Sequence, residues 1–142
     1  MRDKRERKGD NYRLQSNRLK KAISEDYYFE AMFIIFAIIE DKTKALLSYF
    51  SKYDVERNEL FEKLEDILKL RENNSLIAAY ISEDVLYNIA DWQKRYKGYE
   101  KYLLNGDIIS DFELSEFVTL GKTLSRAFHK GVNSIYQLKY NP

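Results

Sequence analysis

The sequence predicts an all-α protein, a single-domain bundle of about four to five helices around a central apolar helix over residues 27–50. Three observations support this fold class. The chain of 142 residues contains only five glycines and one proline, too few for the turns of a strand-rich fold. Apolar residues recur at helical spacing over most of its length. A composition that is 44% hydrophobic is sufficient for one core at this length.

Composition also narrows the classes of function. The chain has no cysteine, which excludes disulfides, thiolate catalysis and cysteine-based metal sites. Its one histidine, His129, is the side chain best suited to acid–base work near neutral pH. We expect no cofactor and no metal ion. Because no segment is long enough to span a bilayer and no signal peptide opens the sequence, a cytoplasmic protein without membrane contact is expected.

The first 21 residues are strongly basic. They carry nine basic and three acidic side chains, a net charge of +6, so the rest of the chain carries −5 of the total of +1. Residues 1–11 mix charges without an apolar run, which predicts a flexible basic arm ahead of a single bundle domain over residues 12–142. Such an arm could tether nucleic acid, and a solvated tail is the alternative.

The first two predicted helices follow this arm. Sparse apolar residues predict a short helix over residues 12–23, and Ser24 is expected to cap the next one. That next helix contains nine consecutive apolar residues from Ala31 to Ile39. Because apolar side chains then lie on every face, the helix is predicted to be enclosed by other elements.

The middle of the chain carries a weaker pattern. Residues 51–57 are polar and predict a connection. From residue 58, apolar residues at positions i, i+3 and i+4 predict an amphipathic helix that ends at residues 73–74. Residues 75–81 predict a short apolar linker, with one helical turn as the alternative.

The clearest periodicity belongs to the helix after Ser82. Its apolar residues from Val85 to Leu103 alternate between spacings of four and three, as one face of a helix requires. Ser82 is the predicted N-cap. The segment 105–107, Asn-Gly-Asp, tolerates the left-handed conformation that ends many helices.

A last helix is predicted from a capping box to the C-terminus. Ser110 and Glu113 have the spacing of that box, and an apolar stripe continues over residues 117–138. Gly121 and Gly131 lie on this stripe. Glycine weakens a helix, so their positions predict the close approach of another helix, or, for Gly131, an end or a kink.

Arg126 and His129 are the candidate catalytic residues. Three positions apart, they share one face of the predicted helix. An arginine that binds phosphate beside a histidine that moves a proton is the minimum for cleaving RNA through its 2′-hydroxyl. A lone helical histidine is more often structural or solvated.

A candidate nucleic-acid or partner surface lies in residues 92–104, where basic residues alternate with tyrosines. Such a pattern can hold a phosphate backbone and stack on bases. Its members are Lys94, Arg95, Lys97, Tyr99, Lys101 and Tyr102. Alternatively, the tyrosines belong to the core or to a subunit interface, and the lysines only solvate the outer face.

This region resembles the HEPN superfamily of small α-helical bundles. The resemblance rests on a long apolar helix with acidic ends, a Leu/Lys helix, a long last helix and one motif. The motif residues are Leu86, Ile89, Trp92, Lys94 and Arg95. Members of this family pair as dimers. Many are metal-independent ribonucleases that use an Arg and a His four to six residues later, often with an Asn directly after the Arg.

The catalytic part of that motif is not intact. With Arg95 as the family's arginine, Tyr96 stands in the place of the asparagine. Glu100, Lys101 and Tyr102 occupy the three places open to the histidine. The resemblance therefore implies a dimeric helical domain without the nuclease site.

Three hypotheses of function follow. The first is a non-catalytic HEPN-like interaction module that acts through dimerisation and through binding of RNA or a protein partner, in a prokaryotic defence or mobile-element context. The second is a metal-independent ribonuclease that uses Arg126 and His129. The third is a small protein inhibitor of a nucleic-acid enzyme, suggested by the charge of −5 after residue 21. A homodimer is expected through residues 92–104 or 117–138, whose stripes offer more apolar surface than such a bundle needs.

Overall fold

A computed structural model describes residues 4–50 and 60–140, with side-chain surroundings over residues 11–50 and 63–140. The described residues form helices and connections, without a strand, which confirms the all-α class for this part of the chain. The helices are α1 (Lys4–Ser24), α2 (Tyr28–Phe50), α3 (Leu60–Asn73), α4 (Ser75–Tyr80), α5 (Glu83–Leu104) and α6 (Asp111–Tyr140). The described residues form six helices, one more than the upper end of the predicted range, because the segment predicted as an apolar linker over residues 75–81 contains the short helix α4.

Helix α1 differs from its prediction at both ends. It begins at Lys4, so residues 4–11, expected as part of a flexible arm, are helical, while residues 1–3 lie outside the described part. At the other end, the Ser24 hydroxyl donates to the carbonyl of Lys21 at 2.8 Å. The predicted role of Ser24 as the cap of α2 is wrong, because Ser24 closes α1 and Asp26, at φ 59°, makes the turn.

Helix α2 packs against α1, α3 and α6. Most of its apolar run is buried, as a helix between several neighbours requires. One face is open, however, since Phe33 is 62% exposed and Phe29 is 36% exposed. The prediction that α2 is enclosed on every face is therefore wrong at these two positions. Within the described ranges, no helix combines the length and the hydrophobicity needed to cross a membrane.

Helices α2 and α6 run parallel, with their ends aligned. Tyr28, at the start of α2, lies beside Ser115 in the second turn of α6. At the other end, the ring of Tyr49 lies 5.3 Å from that of Tyr136 and 5.7 Å from that of Tyr140. This arrangement places the two ends of α6 at opposite ends of the bundle.

Helix α3 docks on α2 through a buried charge. Lys63 is 2% exposed, and its Nζ lies 3.8 Å from Oε1 of Glu40. The same carboxylate oxygen lies 3.6 Å from Nζ of Lys44. The predicted connection over residues 51–57 and the predicted start at residue 58 lie outside the described residues.

Helices α5 and α6 form an antiparallel hairpin with the predicted caps. Ser82 Oγ accepts from the N–H of Val85 at 3.1 Å, and Ser110 Oγ accepts from that of Glu113 at 3.2 Å. Gly106 has a φ of 77°, the left-handed conformation that glycine adopts at little cost. These local predictions are confirmed.

The two glycines of α6 mark close approaches. A Cβ atom on Gly121 would lie 2.5 Å from the Trp92 ring, and one on Gly131 would lie 2.5 Å from the carbonyl oxygen of Tyr80. Because α6 continues through both positions, the close-approach prediction is confirmed and Gly131 does not end the helix.

Candidate functional site

The structure places His129 against α1. The rings of Tyr12 and His129 are stacked, with centroids 3.6 Å apart and an angle of 7° between their planes. Tyr12 lies on the inward side of α1, about two to three helical turns before the buried residues Leu19 and Ala22. The stack therefore connects the first helix to the last. Arg126 lies nearby and is exposed.

The two ring nitrogens of His129 have different surroundings. Nε2 lies 3.1 Å from the side-chain nitrogen of Asn133, one turn further along α6. In this geometry the amide donates to Nε2, so the neutral ring carries its proton on Nδ1. Nδ1 is buried and makes no hydrogen bond to any described residue. An unsatisfied buried nitrogen costs stability, so this contact is less stable than its stacking geometry alone suggests.

The charges around this stack disfavour a second proton on His129. Burial, together with the nearby ammonium of Lys42, lowers the pKa of His129 to about 4, against a smaller opposing effect of Asp41. Lys42 is itself buried, and its Nζ lies 5.4 Å from the centroid of the Tyr12 ring. At pH 7 the histidine is neutral.

This environment limits what His129 can do chemically. A proton-transfer group works best when its pKa lies near the operating pH, and a pKa of about 4 leaves almost none of the ring charged at neutrality. One face of the ring is covered by Tyr12. The arrangement suits the docking of α1 onto α6 better than general acid catalysis.

The α5 surface predicted from the sequence is only partly available. The basic side chains at positions 94, 95, 97 and 101 are exposed, and Tyr102 is 52% exposed. Tyr99, in contrast, is 6% exposed, and its hydroxyl donates to Oε1 of Glu113 at 3.0 Å. Its ring packs edge-on against Phe117. Of the two candidate stacking rings, only Tyr102 is presented to solvent.

The residues that carry the HEPN resemblance are mainly packing residues. Trp92 is fully buried, and its indole N–H donates to the carbonyl of Phe117 at 3.0 Å. Tyr96, in the place of the family's asparagine, stacks on Trp92 and on Phe36. The guanidinium of Arg95 lies 4.8 Å from the centre of the Phe117 ring. These contacts hold α5 against α6 and α2.

The described residues contain no group of three or more His, Asp or Glu side chains placed to hold a metal ion. The carboxylates of Glu40 and Asp41 point to different neighbours. Glu40 pairs with lysines, and Asp41 lines a cleft with Arg18 of α1.

Lys122 and Lys130 lie near Arg126 and His129 in the sequence, and in the structure they form a basic surface along α6. On α6, Lys122, Arg126 and Lys130 follow one another at intervals of four residues, which places them on one face. The positive charge of Arg126 is close enough to Tyr12 to lower its pKa against the larger, raising effect of burial. The four-residue spacing was a usable signal, but the position of α1 beside it was not visible in the sequence.

Comparison of the chain with protein-family models, with curated proteins and with solved structures finds no match in any of the three.

Proposed function

We propose that the chain is a non-catalytic, HEPN-like helical interaction module that binds RNA through the basic side chains around the α1–α6 contact. In this proposal it is one bundle organised around α2, it acts in the cytoplasm, and its context is prokaryotic defence or a mobile element. The observation that carries the RNA-binding proposal is the Tyr12–His129 stack, because it brings α1 and α6 into contact within segments that carry no acidic side chain. Asp41 of α2 is the acidic side chain next to this contact.

The charges of these segments support a polyanion as ligand. Residues 11–24 of α1 contain four basic and no acidic side chains, and residues 117–140 of α6 do likewise. The basic side chains of this α1 segment are exposed, as are Arg126 and Lys130. We name these two segments the basic face. Lysine and arginine contacts to phosphates give affinity without sequence preference, so binding should be general for single strands.

The surroundings of His129 argue against the ribonuclease alternative. It needs a histidine that exchanges protons near pH 7 beside a bound phosphate. His129 has a pKa of about 4 and is stacked under Tyr12. Arg126 has a different use in the present proposal, as a contact to phosphate.

The proposal is tested by the salt dependence of binding to a fluorescent single-stranded RNA. The variant Arg126→Gln/Lys130→Gln removes two charges of the basic face, and the log–log salt slope should become shallower by roughly 1.4, about 0.7 for each lost phosphate contact. The matched control is Lys94→Gln/Lys97→Gln, which removes two exposed charges from α5. It should bind nearly as the wild type does.

Two results would reject this assignment. If the α5 variant loses more affinity than the α6 variant, the RNA surface is the one predicted over residues 92–104. If the wild-type protein ignores RNA at low salt, the RNA-binding proposal fails.

We also propose that two copies associate through the open face of α2. The stripes expected to form the dimer are largely internal, since Trp92, Phe117 and Phe128 are fully buried within the chain. Phe29 and Phe33 lie one turn apart and remain exposed. A dimer should sediment as such at tens of micromolar, and Phe33→Ser should dissociate it, while Tyr87→Ser on α5 should not. A wild-type monomer at that concentration would refute the association.

A further inference from the structure

Large apolar side chains are exposed where α5 ends, in the connection that follows it and where α6 begins. Ile108 is 99% exposed, Leu104 is 82% exposed and Phe112 is 73% exposed. Tyr102 and Leu103 add partly exposed side chains from the last turn of α5. Five such residues in the last turn of α5, the connection and the first turn of α6 are more than the singly scattered exposed apolar residues of an ordinary surface, and exposed apolar patches mark interaction sites. We name the region over residues 99–116 the apolar end.

Carboxylates surround this patch. Residues 99–116 carry five acidic side chains and one basic one, a net charge of −4. A cleft of about 460 Å³ opens within the region, lined by Tyr99, Tyr102, Asp107, Ile108, Ile109 and Glu113. Neither Asp107 nor Glu113 has a salt-bridge partner among the described residues. The guanidinium of Arg95 is close enough to the Tyr99 hydroxyl to oppose the raised pKa of that group, so Glu113 has a cation in its neighbourhood, whereas no charge of that sign is described beside Asp107. The cleft therefore combines apolar and aromatic walls with two carboxylates that form no salt bridge there.

The charge decides which occupant fits. RNA and anionic lipid surfaces are repelled by the net negative charge. A second copy seated symmetrically would place the same carboxylates opposite each other, since a two-fold interface pairs each patch with itself, and like charges facing each other oppose such an association. The chain's own basic helix α1 is not suitable either, because its apolar residues Leu19 and Ala22 are buried in the bundle.

We propose that the apolar end is a docking site for a basic amphipathic helix of a partner protein. A lysine or arginine of that helix enters the cleft, between the carboxylates of Asp107 and Glu113 and beside the Tyr102 ring. Apolar residues one turn away on the same helix pack on Leu104, Ile108 and Phe112. The Tyr102 ring would lie beside the aliphatic part of that lysine or arginine, and the two carboxylates would lie at its charged end.

This docking site is independent of RNA binding and extends the proposed function to a second partner. It lies at the first turns of α6, whereas Arg126 and Lys130 lie in the other half of that helix. One chain could then hold RNA at one end and a basic protein at the other.

The test uses a phage-displayed library of random peptides of about 15 residues, enough for four helical turns, selected on the wild-type protein. The enriched peptides should carry Lys or Arg together with apolar residues at helical spacing. Their affinity is then measured by fluorescence anisotropy. Ile108→Ser should weaken binding roughly tenfold, and Asp107→Asn/Glu113→Gln should weaken it by a similar factor and abolish most of its salt dependence.

Matched controls come from exposed positions elsewhere. Tyr87→Ser removes a 58% exposed ring from the other end of α5, and Glu72→Gln/Asp91→Asn removes two exposed carboxylates. Both controls should bind the selected peptides as the wild type does. Unchanged melting curves show that all variants are folded. The Glu113→Gln substitution keeps an oxygen that can accept the hydrogen bond from the Tyr99 hydroxyl.

The proposal is overturned if no peptide is enriched, if the enriched peptides lack basic residues, or if the charge variant binds them with wild-type affinity. The RNA assay on the same variants separates the two ideas. Variants at the apolar end should bind RNA as the wild type does. A negative peptide result therefore does not reject the RNA-binding proposal, and a negative RNA result does not reject the docking site.

Discussion

Two pairs of stacked rings hold other helices against α6, and they differ in how their polar atoms are satisfied. Trp92 and Phe117 lie 4.6 Å apart with an angle of 2° between their planes, and the indole N–H has the Phe117 carbonyl as acceptor. Tyr12 and His129 lie closer, at 3.6 Å, but His129 leaves Nδ1 buried without a partner. Ring geometry alone therefore does not decide stability, because a buried donor without an acceptor offsets part of what the stack contributes.

The largest change in the free energy of unfolding should follow removal of the Trp92 ring. Trp92→Ala deletes a fully buried indole and should lower the free energy of unfolding by about 3 to 5 kcal/mol, as large-to-small core changes do. Denaturant titration followed by circular dichroism measures it. Tyr87→Ala, on the same helix but exposed, is the control and should change little. Equal losses for the two variants would contradict the placement of Trp92.

Substitution of the α6 glycines tests how closely other helices approach α6. Gly121→Ala places a methyl group 2.5 Å from the Trp92 ring, and Gly131→Ala places one 2.5 Å from a backbone oxygen. Each should destabilise the fold by roughly 1 to 3 kcal/mol. Gly98→Ala meets nothing within 4 Å and should instead stabilise α5 by about 0.5 to 1 kcal/mol. Thermal melting orders the three variants, and a stabilising Gly131→Ala would contradict the close approach of α4.

The smallest effect concerns the pH dependence of the Tyr12–His129 stack. The pKa of His129 is lowered from 6.5 to about 4 on folding, so between these values the unfolded chain binds the proton and the folded chain does not. Stability should therefore be fully present above about pH 6.5 and fall as the pH drops towards 4. After allowance for partial exposure, the loss is on the order of 1 to 2 kcal/mol.

The variant His129→Phe keeps a ring on Tyr12 but cannot titrate. Its unfolding free energy, measured from pH 7 to pH 4, should fall less than that of the wild type. Tyr12→Phe is the matched control, because it keeps the stack and the histidine and should retain the wild-type pH profile. Identical profiles for wild type and His129→Phe would show that His129 does not carry this dependence.

The contrast between the two stacks also explains what the sequence predicts well. The α5–α6 hairpin is local, so apolar spacing, the Ser82 and Ser110 caps and Gly106 are enough to place its helices. The start of α1 was not predicted because residues 4–11 contain no apolar spacing to read. The sequence assigns Ser24 to the wrong helix because a serine hydroxyl can donate to a carbonyl at the end of one helix as well as accept from an N–H at the start of the next.

The candidate sites depend on contacts between distant parts of the chain. Spacing places Arg126 and His129 on one face, but nothing near them in sequence indicates that Tyr12 covers the ring. The buried state of Tyr99 was one of two alternatives that its spacing left open. The apolar end is not visible in the sequence, because its exposed residues lie in the last turn of α5, in the connection and in the first turn of α6, where periodicity carries little information about burial.

The distribution of charge along α6 has a consequence for how the molecule meets a ligand. Asp111, Glu113 and Glu116 occupy its first two turns, and beyond them every charged side chain is basic. At about 1.5 Å per residue, Lys130 lies roughly 25 Å from Glu113 along the axis, so the charged side chains of α6 contribute an electric dipole moment directed along that helix. A nearby polyanion exerts a torque on such a dipole and turns the positive end towards itself. At physiological ionic strength the screening length is about 8 Å, so any such reorientation is confined to the last stage of an encounter. In the proposed complex with RNA, the acidic end of α6 would point away from the strand.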